Sequence, residues 1–100
     1  PRALAETLLL LLMSLRGNAF IYQGEELGLP QAEVPFERLQ DPEAIVNWPK
    51  TLGRDGARTP MPWVRGAPHA GFSAAEPWLP VDPRHDALAV DAQERDPTSM

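Results

Sequence analysis

Arg54-Asp55-Gly56-Ala57-Arg58-Thr59-Pro60-Met61-Pro62-Trp63 is the stretch of this chain whose residue types and spacing are best suited to chemistry. Two arginines stand four apart around a glycine, and the run closes on a proline-interrupted segment. Proline fixes its own φ, removes a backbone donor and disfavours helix at the residue before it. Thr59 and Met61 are therefore expected on a stiff extended path, able to hold a guanidinium group in one place without regular structure around it. Arginine presents a planar fork of donors that matches carboxylates and pairs of hydroxyls. The simplest alternative is a solvated loop in which Arg54 or Arg58 pairs with Asp55, a kind of surface ion pair that contributes little. A second polar group, Gln23-Gly24-Glu25-Glu26, adds two adjacent carboxylates beside a glycine.

The elements that must position these groups are few. Ala3 to Leu15 is built from helix formers, apolar on nearly every side, with Gly17 as a C-terminal stop; it predicts a helix packed on more than one face. Ala19-Phe20-Ile21-Tyr22, led in by Asn18 and bounded by Gly24, reads as a short buried strand of the parallel type. Helix, glycine turn and buried strand make the αβ half of a βαβ unit, with Glu25 and Glu26 at the strand's carboxyl end. After Leu29 the chain is mostly irregular. Val34 to Leu39 fits one helical turn, and Asp41-Pro42 is an N-cap followed by proline, opening a short helix over Glu43 to Trp48 that Pro49 stops. Trp63 and Trp78 are read as packing anchors, the latter within Pro77-Trp78-Leu79-Pro80-Val81. Leu88-Ala89-Val90 is read as a short strand, and Asp96-Pro97-Thr98-Ser99 as the start of a helix running past Met100.

Composition narrows the function classes. A net charge of −5 argues against a nucleic-acid partner, since no basic patch is visible. With no cysteine there are no disulfides or thiolate metal sites. The apolar run Thr7 to Leu15 is too short to cross a bilayer, which takes roughly 20 residues, so no membrane partner is expected. Twelve prolines, against a usual share of ~5%, fall almost entirely after Leu29 and do not suit a self-contained core. His69 and His85 stand alone without ligand spacing and are read as loop or surface residues. A structureless excursion this long is uncommon in a compact domain unless it is functional.

The two polar segments taken together identify a resemblance. Phe20-Ile21-Tyr22-Gln23-Gly24-Glu25-Glu26-Leu27-Gly28, then Gly53 to Trp63, Ala70-Gly71-Phe72-Ser73 and Pro77 to Val81, are similar in order and spacing to glycoside hydrolase family 13, the α-amylase family. Within it they most resemble the α-glucosidase and oligo-1,6-glucosidase group. The resemblance implies an α/β fold, a C-terminal fragment of a (β/α)8 TIM barrel. Residues 1–28 would be the seventh helix and eighth strand, 29–96 the long loop region after that strand, largely irregular, and 97–100 the start of the eighth helix.

The same resemblance implies an enzyme, a hydrolase acting on terminal α-linked glucose in short oligosaccharides of maltose or isomaltose type, in the bacterial cytoplasm. Retaining glycosidases use two carboxyl groups about 5 Å apart across the scissile bond. In this family these and a third aspartate come from strands that match nothing in this chain, so no catalytic residue is assigned to it and the segment alone is expected to be inactive; no cofactor is expected, and with no calcium-loop spacing no metal is expected either. What it implies instead is substrate binding on the aglycone side, with Glu26, Arg58 and Arg54 as the contacts and the rest of the barrel as the partner. Glu25 is read as structural. Arg58 stands open between a substrate contact and a buried ion pair, with Glu26 or with the family's upstream aspartate, and Arg54 leans towards a gating ion pair. Two other readings compete: a transglycosylase or isomerase of trehalose- or isomaltulose-synthase type, and a non-catalytic transport-associated barrel.

Overall fold

The computed structural model describes residues 2–99; Pro1 and Met100 lie outside the described residues. Helix α1 (Arg2–Ser14) matches the expected helix to within one residue at each end, and Gly17 beyond it has a positive φ of 116°. Thr7 Oγ1 donates to Ala3 O at 2.8 Å, and Arg2 pairs with Glu6 one turn on. None of its residues is buried. Leu8, Leu10, Leu11 and Leu15 are exposed, so the all-round apolar surface that predicted a packed helix faces outward here.

No strand forms among the described residues. The strand expected over 18–22 is absent because a strand exists only through ladder hydrogen bonds, and the described backbone offers residues 19–21 no partner. Phe20 is accordingly exposed. The strand expected at Leu88 to Val90 is also corrected. Leu88 ends a 3₁₀ segment, Pro83–Leu88, and Val90 opens helix α3 (Val90–Glu94). Two of the N–H groups that a helix start leaves unpaired are satisfied by the rigid proline run, Val90 N donating to Pro62 O and Asp91 N to Trp63 O. At 96–99 the structure shows a turn, in which Thr98 N and Oγ1 donate to Asp96 Oδ1 and Ser99 N to Asp96 O.

Between these ends the chain is irregular, as expected. It carries 3₁₀ turns at Glu25–Leu27, Phe36–Arg38 and Asp55–Ala57, and one helix, α2 (Pro42–Asn47). Asp41 caps α2 by accepting from Glu43 N at 3.2 Å. Val34, Leu39, Ala44 and Leu79 form a small apolar cluster beneath α2. The radius of gyration, 14.9 Å, exceeds the ~13 Å typical of 100 residues, as suits so small a core.

Side chains reaching to distant backbone hold the loops in place of a sheet. Arg38 donates to the carbonyls of Pro77 and Trp78 and pairs with Glu76. Arg84 donates to Gln31 O while paired with Asp82, and Gln93 Nε2 bridges Leu27 O and Leu88 O. His85, expected as a loop or surface residue, lies in the 3₁₀ segment but is buried: 2% exposed, with Nε2 2.7 Å from Pro30 O and therefore carrying the proton in the neutral ring. The two tryptophans expected to anchor packing do not. Trp63 is 47% and Trp78 86% exposed, whereas Met61 and Leu79 beside them are buried. In an irregular chain neighbouring side chains point apart, and here the aliphatic ones took the inside.

Candidate functional site

Asp55 organises the site from below. It is buried, and its Oδ2 accepts from Gln40 N at 2.7 Å and from Asp41 N at 2.8 Å. The ion pair between Asp55 and an arginine that the solvated-loop alternative offered is not the one formed. Arg54 pairs with Asp41, thirteen positions earlier: Nε donates to Oδ2 at 2.9 Å, Nη2 to Oδ1 at 2.8 Å, and the Arg54 backbone N–H to Oδ2 at 2.9 Å. Two parallel bonds of this kind fix a guanidinium plane as well as its position. The Asp41 carboxylate is fully covered while the Arg54 side chain is 63% exposed.

Both arginines open onto one cleft of about 720 Å³. Gln23, Asp41, Phe72, Glu76 and Trp78 also line it. Arg58 is exposed there and makes no ion pair among the described residues, so the pairing with Glu26 is not formed. Gln23 Nε2 donates to Thr59 O at 3.2 Å, tying the Gly24 turn to the arginine segment. Glu26 is not in the cleft wall; its Oε2 accepts from Gly24 N at 2.9 Å, and Glu25 Oε2 accepts from Tyr22 N at 2.8 Å. The structural reading of Glu25 agrees with that bond. Sequence reasoning overlooked Asp41 as a partner of Arg54. Its only signal, an Asp before Pro, marks a helix cap.

Among the described residues no group of three or more His, Asp or Glu is arranged to hold a metal ion, and no helix is long and apolar enough to cross a membrane.

The Arg54 guanidinium and its backbone N–H hold the Asp41 carboxyl well below the usual carboxylate range, and Arg84 does the same for Asp82. A carboxylate depressed in the folded state stabilises above its unfolded pKa, ~3.9, and loses that contribution as pH falls towards its folded value. We expect the denaturant midpoint of the full-length protein to fall as pH drops below about 4, with part of the slope missing in Asp41→Asn. Parallel slopes for the two proteins between pH 4 and 2 would remove Asp41 from this account.

Residues 2–100 match the family model for the catalytic domain of alpha amylase. The chain belongs to the alpha-amylase family, and it is a part of that catalytic domain. It is similar to a probable alpha-glucosidase of Rhizobium meliloti (strain 1021), 55% identical over 96 residues that make up 96% of this chain and 17% of the relative. An oligo-1,6-glucosidase of Parageobacillus thermoglucosidasius is 34% identical over 114 residues, covering 96% of this chain and 20% of the relative. The crystal structure of an alpha-glucosyl transfer enzyme, XgtA, superposes with a TM-score of 0.93 at 55% identity, covering 99% of this chain and 18% of that one. The chain thus spans about a fifth of the length of the proteins it resembles.

Proposed function

We propose that the protein carrying this chain is an α-glucosidase that releases terminal α-linked glucose from short oligosaccharides by a retaining mechanism. This chain supplies the aglycone-side wall of the pocket, and the catalytic carboxylates lie elsewhere in the barrel. The observation that carries the reading is the cleft holding Arg54 and Arg58 together with Gln23. Guanidinium and amide donors set around an open cleft are the partners a polyol requires, and a site built to bond hydroxyls discriminates strongly against ligands without them. Glu26 lies outside this cleft wall, with Oε2 accepting from Gly24 N, and a contact from it to a leaving-sugar hydroxyl rests on the family resemblance alone. The names of the relatives support glucosidase chemistry over a non-catalytic role.

Transfer to a sugar acceptor is the second reading, favoured by the 55% identity to an alpha-glucosyl transfer enzyme, equal to that of the probable glucosidase. One experiment separates them. The full-length protein is incubated with maltose, isomaltose and sucrose, with and without excess acceptor, and the products are resolved. Free glucose as the main product is expected. Oligosaccharide products in its place would establish transfer, and no consumption of any substrate would overturn both readings.

A further inference from the structure

We propose that Asp41 is a positioning residue whose buried carboxylate fixes the Arg54 guanidinium for ligand hydroxyls in the cleft. The proposal rests on the pocket-wall reading above. Asp41 spends both oxygens on this task. Oδ2 takes the Nε–H and the backbone N–H of Arg54, and Oδ1 takes Nη2. A guanidinium engaged along its Nε–Nη2 edge keeps both Nη1 hydrogens, and Nη1 makes no hydrogen bond among the described residues. Those hydrogens sit on an exposed side chain in the cleft wall.

The carboxylate is itself held from beneath, because Asp55 fixes the backbone N–H groups of Gln40 and Asp41. Fork, carboxylate and supporting carboxylate therefore form one sequence of contacts running from the interior to the cleft. Free arginine side chains lose rotamer entropy when they bind, and pre-ordering removes that cost. Arg54 arrives ordered, while Arg58 has no such partner among the described residues.

The contact with Glu43 N means that Asp41 also caps α2, so a test must separate the two roles. Serine caps a helix nearly as well as aspartate but cannot hold a guanidinium fork. In the full-length protein, Asp41→Ser and Arg54→Ala are each expected to raise KM for maltose about tenfold with kcat little changed, the size of a lost hydrogen bond to a charged group. The double variant is expected to match Arg54→Ala alone, since Asp41 acts only through Arg54. Effects that multiply, or a normal KM for Asp41→Ser, would overturn the proposal.

A readout independent of turnover is the Arg54 Nε–H in nitrogen-15 spectra, expected to be protected from solvent exchange in the parent and exposed in Asp41→Ser. Equal protection in both would overturn positioning even if the protein hydrolyses no glucoside. Absence of parent turnover with loss of protection in Asp41→Ser would instead sink the glucosidase reading and keep the positioning role.

Discussion

Replacing Asp55 with alanine is expected to cost about 2–5 kcal/mol of local stability, because it strands two backbone donors at once, that of Asp41 buried and that of Gln40 part-buried. The Gln40 and Asp41 N–H groups both end on Asp55 Oδ2, and the residue is only 2% exposed. Alanine leaves no acceptor for either N–H, and the buried Asp41 N–H bears the larger desolvation penalty. Asparagine offers a sharper comparison. A single oxygen accepts both bonds, so the amide carbonyl of Asp55→Asn can keep them and lose only the charge. We expect amide exchange across residues 40–58 of the full-length protein to accelerate strongly in Asp55→Ala and modestly in Asp55→Asn. Equal acceleration would mean that charge, rather than acceptor geometry, is what the site needs from Asp55.

The second large effect is expected at Gly53. Its φ is +61°, where an L-residue is disfavoured by roughly 1–2 kcal/mol. A Cβ added there would lie 2.5 Å from Ala44 Cβ and 2.9 Å from Asp41 Oδ2. Ala44 is fully buried in the small apolar cluster, so it cannot give way cheaply, and overpacking adds about 1–3 kcal/mol. Gly53→Ala should therefore destabilise by roughly 3 kcal/mol through strain and collision together. It also presses on the oxygen that holds Arg54. The expected signature is faster exchange over α2 combined with a raised KM for maltose. A variant with parental exchange and parental KM would show that the turn relaxes without disturbing Asp41.

The readings that came through from sequence are those that short-range chemistry decides. Helix formers between Pro1 and Gly17 mark α1, and Asp41-Pro42 marks the start of α2. Eleven prolines after Leu29 announce irregular chain. The errors share a different cause. The strand at 18–22 is a statement about partners, and apolar β-formers record only readiness to pair. Arg54 stands beside Asp55, yet Asp55 is taken up by backbone N–H groups, and the carboxylate within reach of the fork is thirteen residues away. His85 and the two tryptophans were misplaced because irregular chain has no periodicity to say which side faces in. The arginine segment itself was legible as a rigid holder of guanidinium groups, though not the carboxylate that aims one of them.

The clasps made by Arg38, Arg84 and Gln93 carry an evolutionary consequence. A sheet imposes register, so one inserted residue turns every later side chain to the opposite face. Clasps from single side chains to distant carbonyls impose no such bookkeeping. Each closes its own loop, and lengthening a flexible loop is thermodynamically mild. The span between two clasps can therefore gain or lose residues over generations while the arginine cleft stays where it is. If the cleft is the pocket wall proposed above, such a wall can be recut for a new leaving group one loop at a time.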